Sequence, residues 1–171
     1  MVIGTSLKDH AYTVTITWTG NRGTGTSAYR AYDRRHEITA VHKPAIPASS
    51  DPAFLGDGKR WNPEDLLVAS LSSCHMLWYL HLCAVNGVTV TSYEDCAEGV
   101  MQEQPGGEGR FTEVVLQPEI VLAPGSDVDR AHALHAEAHA RCFIANSVNF
   151  PVRHEPVIRI AQGTTQGTTP E

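Results

Sequence analysis

The stretch that decides the fold is Asn62-Pro63-Glu64-Asp65-Leu66-Leu67-Val68-Ala69-Ser70-Leu71-Ser72-Ser73-Cys74, continuing through His75-Met76-Leu77-Trp78-Tyr79-Leu80-His81-Leu82-Cys83-Ala84-Val85 to Asn86-Gly87. Asn62 can cap a helix, proline suits the first helical position, and Glu64 and Asp65 face the positive end of the helix dipole. Asn-Gly then supplies a stop. Leu67, Leu71, Cys74, Trp78 and His81 recur at helical spacing. Ala69, Ser70, Ser72 and Ser73 are small enough for neighbouring backbone to approach closely. The apolar run from Leu66 to Val88 is broken by serines, histidines and Asn86, so it reads as a buried helix rather than a membrane span.

On the N-terminal side, Tyr12–Thr19 alternates strictly, with Tyr12, Val14, Ile16 and Trp18 on one face and threonines on the other. This predicts a half-buried strand. Gly20-Asn21-Arg22-Gly23 is a turn signal; a second strand is expected near Thr24–Tyr32 and a third over His36–His42. Lys43–Arg60, with Pro44, Pro47, Pro52 and two glycines, reads as a long irregular loop of the kind that often carries function. On the C-terminal side, Val88–Gln104 and Arg110–Ala123 read as two long strands of a hairpin turning at Pro105–Gly109. Asp127 caps a second helix to about Arg141, and His154–Ile160 is a last strand. Three strands, helix, two strands, helix and strand make an α+β pattern. A single domain over residues 1–161 is expected, followed by a Gly/Thr-rich, disordered tail over 162–171.

Of the 171 residues, 42 % are hydrophobic and 19 % charged, and the formal net charge is -6. An acidic chain without Lys/Arg clusters argues against nucleic acid and anionic membrane as partners. Met1–His10 has no apolar core of the secretory kind, so the expected location is the cytoplasm. The four cysteines, Cys74, Cys83, Cys96 and Cys142, include no CxxC pair. Structural disulfides and a paired-spacing zinc site are therefore not expected, which leaves buried thiols or redox chemistry. A peroxidase needs one thiolate to attack the O–O bond and a second thiol to condense with the sulfenic acid. Cys74 in mid-helix and Cys142 at the end of the second helix each adjoin an apolar run. A cysteine on an apolar helix face is most often an inert core thiol, and that reading is applied to Cys83 and Cys96.

The Asn62–Cys74 stretch resembles the N-P-E-x-L…small-x-C helix of the OsmC/Ohr family. Cys142-Phe143-Ile144-Ala145-Asn146-Ser147 resembles its second cysteine motif, with Phe143 where proline is usual. Arg22-Gly23-Thr24-Gly25-Thr26 resembles its N-terminal Arg-Gly-x-Gly-Thr hairpin. The resemblance runs over roughly residues 12–160. It implies antiparallel sheets packed around a long central helix and an intertwined homodimer with sites at the dimer interface. It also implies reduction of organic hydroperoxides, and in some members hydrogen peroxide, by a dithiol reductant of lipoyl or thioredoxin type. No metal or other cofactor is implied. By motif, Cys74 corresponds to the peroxidatic cysteine, Cys142 to the resolving one, Glu64 to the site glutamate and Arg22 to the site arginine. The run from His75 to Cys83 is bulkier and more polar than is usual, which marks a divergent subgroup.

Physical chemistry adds two constraints. Cys74 lies about 18 Å along the helix from Asn62, and the dipole effect fades within the first turn, so a cation must hold the thiolate. Arg22 is the first choice and Arg34 the rival. Glu64 and Cys74, ten residues apart, are separated by about 15 Å on a straight helix. Either the helix is broken or Glu64 serves a second protomer. His132, His135 and His139 share one helical face, and His135 and His139 have metal-ligand spacing without an HExxH pattern. His75 and His81 are expected in hydrogen-bonded core or cleft roles. Two alternatives to the peroxidase thus stand: a non-catalytic small-ligand protein of the same fold, and a metal-binding protein using the helix histidines.

Overall fold

Asn62 opens the long helix as expected: its Oδ1 accepts a hydrogen bond of 2.6 Å from the Asp65 N–H. In the computed structural model, which describes residues 8–162, helix α1 runs from Pro63 to Val85. Gly87 ends it with φ +73°, and Val88 N–H closes back onto the Cys83 carbonyl at 3.0 Å. The chain forms two compact units, Met1–Asp65 and Leu66–Glu171. Of the tail expected over 162–171, residues 163–171 lie outside the described residues.

The first unit holds one antiparallel sheet of β1 (Thr15–Trp18), β2 (His36–Thr39) and β3 (Ile46–Ala48), in that order. Three expectations change here. The strand expected over Tyr12–Thr19 shrinks to four residues and is exposed on both faces rather than half-buried, with Ile16 at 57 % and Trp18 at 42 %. No strand forms over Thr24–Tyr32. Asn21 Oδ1 accepts from Gly23 N at 2.8 Å and Gly25 N at 3.0 Å, and both glycines take positive φ, which coils the segment into turns. β1 pairs across this loop with β2 instead, and a side chain at Gly20 would collide with the Asp33 carbonyl that closes the loop's base. The expected irregular loop 43–60 contains β3 and a 3₁₀ turn at Pro52–Phe54, capped by Asp51 accepting from Ala53 N at 2.7 Å.

In the second unit the two expected long strands each break in two. β4 (Val90–Asp95) and β5 (Glu98–Glu103) run out; β6 (Gly109–Leu116) and β7 (Pro118–Leu122) return. The break has a local cause. The Asp95 carboxylate accepts from Gln117 N at 2.7 Å and from Ser72 Oγ of α1 at 2.5 Å, so a side chain takes the place of the ladder at the bend. Asp127 caps α2 (Val128–Arg141), accepting from Arg130 N at 2.9 Å. The expected last strand is also two, β8 (Val152–His154) and β9 (Val157–Ile160), parted at Glu155-Pro156. Both lie parallel to their neighbours, giving sheets β4-β7-β9 and β5-β6-β8.

These elements make two apolar clusters along α1. Toward its start, Leu71 packs with Val114 and Leu116 of β6. Toward its end, Tyr79, Leu82 and Cys83 pack with Ile120 and Leu122 of β7 and with Ala131, Leu134 and Ala138 of α2. α1 has the length and apolar composition of a membrane span, yet Leu71, His75 and Tyr79 form a row buried against this protein core. Close approach to the sheet is possible because position 99 is glycine: a Cβ there would sit 2.7 Å from both Val68 Cγ2 and a Phe111 ring carbon.

Candidate active site

Cys74 sits in the middle of α1, half-buried, and Cys142 caps the C-terminal end of α2, 1 % exposed. Though 68 positions apart in sequence, the two free thiols lie near enough for Cys74 to act on the Cys142 thiol. The turn that presents Cys142 is held by the residues after it. Cys142 Sγ accepts from Ala145 N at 3.4 Å, and the Cys142 carbonyl accepts from Asn146 N at 3.0 Å. Asn146 Nδ2 donates back to the Ala140 carbonyl at 3.1 Å, and Ser147 Oγ to the Phe143 carbonyl at 2.7 Å. Asn146 and Ser147 thereby hold the turn although Phe143 stands where a proline is usual.

Burial pushes the Cys142 thiol up to about 11, and neighbouring Cys74 adds to this; the N–H of Ala145 only partly offsets it. Cys142 is therefore a neutral thiol near pH 7. The pair is unequal in exposure, Cys142 buried and Cys74 half-buried. Around the pair, Trp78 meets Phe143 edge to face at 5.7 Å, and Arg141 lies over the Trp78 ring at 5.9 Å. Leu77 and Phe143 are exposed at 63 % and 67 %, an apolar surface beside the two sulfurs.

Cys83 is buried in the core, where desolvation raises its thiol, and Cys96 is exposed at the bend between β4 and β5. Glu64 lies in the first turn of α1, which runs unbroken past Cys74, and its Oε2 is buried without a partner among the described residues. Arg22 is half-exposed: it donates to the Ala31 carbonyl at 3.2 Å and to the Arg30 carbonyl, and it lies 3.8 Å from Asp33. The Asp33 carboxyl is held below the usual range, first by its hydrogen bond from Arg35. Arg34 is committed to its own loop. It donates to the Tyr32 and Tyr29 carbonyls at 2.8 Å each and stacks over both rings, at 4.2 and 4.6 Å.

The histidine face expected on α2 is divided. His132 is exposed while His135 is buried, and among the described residues no group of three or more His, Cys, Asp or Glu side chains is arranged so as to hold a metal ion. His75 is hydrogen-bonded and buried, as expected: its Nε2 lies 3.0 Å from His135 Nδ1. The sequence reading missed two features of this region, the meeting of His75 with His135 and the role of Asp95. His75 and Tyr79, one turn apart in the buried row of α1, are the signal that points to the first.

An α+β chain with one free thiol on a long helix and a second near it at the end of another helix is an arrangement with known relatives. The family model described as OsmC-like protein matches residues 56–156, and the chain belongs to that family. An OsmC-like protein of unknown function from Vibrio cholerae is 32 % identical, covering 87 % of this chain and 100 % of its own, with TM-score 0.79. An organic hydroperoxide resistance protein from Legionella pneumophila shares the fold at 19 % identity, with 88 % and 98 % coverage and TM-score 0.61. One from Elizabethkingia anophelis does so at 18 %, with 90 % and 100 % coverage and TM-score 0.63. No curated protein matches.

Proposed function

We propose that this protein is a metal-free, two-cysteine hydroperoxide reductase acting in the cytoplasm. The observation that carries the reading is the nearness of the Cys74 and Cys142 thiols, across 68 positions of sequence, at the end of α2. The Cys74 thiolate attacks a peroxide oxygen and the O–O bond breaks. The departing alkoxide takes a proton and leaves as alcohol, and Cys74 is oxidised to sulfenic acid. The Cys142 sulfur then attacks the Cys74 sulfur. Water leaves with the sulfenic hydroxyl and the Cys142 proton, and an external dithiol, lipoyl-type or thioredoxin-like, reduces the resulting disulfide. The exposed Leu77 and Phe143, with Trp78, favour an organic hydroperoxide over hydrogen peroxide. Names of structural relatives that refer to organic hydroperoxide resistance support the same class.

The test is peroxide consumption with cumene hydroperoxide against hydrogen peroxide, using dihydrolipoamide or thioredoxin as donor. A faster organic substrate is expected. Absence of turnover with either donor leaves the non-catalytic ligand-binding reading in its place.

Arg22 and Glu64 complete the reading. Arg22 holds the thiolate and orients the peroxide, and Glu64, serving a second protomer's site, orients the arginine. The buried, unpartnered Oε2 of Glu64 supports an acceptor role. Arg22→Ala is expected to slow oxidation of Cys74 by about 100-fold near pH 7, with little change in thermal stability. An unchanged rate moves the role to Arg34.

A homodimer follows from the same reading, and the exposed Tyr12, Val14, Ile16 and Trp18 of the first unit support it. Light scattering at micromolar protein should give twice the chain mass of 18.6 kDa, and a monomer mass would refute the dimer.

A further inference from the structure

Four imidazoles from three elements stack through the second unit. His75 of α1 lies against His135 of α2 with ring centroids 5.3 Å apart and planes within 10°. His154 of β8 stacks on both, at 5.4 and 5.7 Å, and half-buried His139 of α2 lies 5.7 Å from His154. Tyr79 of α1 closes the inner end, 3.9 Å from the His135 ring. His75 and His135 are each 1 % exposed, and beyond their shared hydrogen bond His75 Nδ1 and His135 Nε2 are buried with no partner among the described residues. The charges that act on the buried rings are those of other histidines: His139 and His154 on His75, and His75, His132 and His154 on His135. The charged residues beside His154 are committed elsewhere, Arg153 bridging Glu113 at 2.7 Å and Glu155 at 3.1 Å.

We propose that this imidazole stack is a proton-binding site that releases α2, and with it Cys142, when the surroundings turn mildly acidic. The His75–His135 bond needs one ring to donate and the other to accept, so it cannot survive protonation of both. Protonating either ring puts a charge in the core with no counter-ion. Both rings join α1 to α2, and the end of α2 carries Cys142 three residues after His139. Desolvation holds His75 down to about 4 and His135 down to about 3, so an unfolded chain, near 6.5, binds protons first as pH falls. The stabilisation is complete above about pH 6.5 and is lost progressively as pH falls from there toward 4. Each of these histidines lowers the folding equilibrium constant by up to about tenfold per pH unit in that window.

The consequence for the thiol pair rests on the proposed peroxidase reading; the release itself does not. The experiment therefore uses no peroxide. Urea unfolding of the full chain is followed from pH 7.5 to about 5.2, a range in which ordinary carboxylates stay largely ionised, for wild type and for His75→Leu with His135→Leu. Replacing both partners leaves no orphaned ring. Wild type should lose stability steeply below pH 6.5, and the double variant should be markedly flatter. Equal slopes overturn the proposal. Hydrogen exchange of residues 128–142 in wild type, corrected for the intrinsic pH effect, decides independently of whether the variant folds. Faster exchange at pH 5 than at pH 7.5 supports the release, and unchanged exchange overturns it. If peroxide turnover fails while these results hold, only the peroxidase reading falls.

Discussion

Cys74→Ser is expected to lower organic hydroperoxide consumption by about three orders of magnitude or more, because it removes the attacking sulfur rather than a residue that assists it. Cys142→Ser is expected to behave differently. Its Cys74 remains, so it should consume one equivalent of peroxide and then stall as the sulfenic acid or proceed to sulfinic acid. In wild type the same single equivalent should instead produce an intrachain Cys74–Cys142 disulfide, seen as loss of two hydrogens in intact mass and located by peptide mapping. The geometry suits this outcome. The thiols are already neighbours, a disulfide needs Cα atoms within about 7 Å, and Cys142 stands at a helix end whose turn is held by side-chain hydrogen bonds. Cys74 is fixed on both sides by helix, so the adjustment falls to residues 142–147. Oxidised wild type with Cys74 linked to Cys83, or with Cys74 free under excess peroxide, would sink the two-cysteine cycle.

Leu134→Ala should have the largest effect on stability. Leu134 is fully buried at the centre of α2, in the cluster with Tyr79, Leu82, Ile120 and Leu122. Truncating such a leucine costs about 2–5 kcal/mol, from lost transfer energy and the cavity left behind. For a chain of this size that lowers Tm by roughly 5–20 °C. Leu77→Ala, on the same α1 but 63 % exposed, should stay within about 0.5 kcal/mol of wild type. Urea midpoints of the two variants make the comparison, and a Leu134→Ala loss below about 1 kcal/mol would mean that the α2 face repacks. Since α2 positions Cys142, the same variant should also trap its sulfenic acid less efficiently at temperatures where wild type is unaffected.

What the sequence makes legible here is local. Asn62, Pro63 and Gly87 mark the ends of α1, and Asp127 the start of α2, because caps act within three or four residues of the backbone they satisfy. The hairpin turn at Pro105–Gly109 is legible for the same reason. What escaped reading is set by partners far away in sequence. Nothing near Asp95 announces that it will accept from Gln117 and Ser72 and divide both long strands. Thr24–Tyr32 looks extended by composition, but the Asn21 carboxamide and two left-handed glycines coil it. The pairing of Cys74 with Cys142 is implied by family resemblance alone, since neither spacing nor composition brings residues 68 positions apart together. His75 and His135, 60 positions apart, carried no such motif.

The parallel pairing of β8 and β9 with β6 and β7 bears on how the chain is made. A hairpin such as β5-β6 can close as soon as its own residues leave the ribosome, but a parallel neighbour must wait for a later segment. Both sheets of the second unit take their last strand from residues 152–160, and His154 travels with them. Until Ile160 has emerged, β6 and β7 each present an unpaired edge, and the histidines of α1 and α2 lack the ring that stacks on them both. The second unit therefore reaches its native form only once Ile160 has emerged, with nascent strand edges open to pairing with other chains until then.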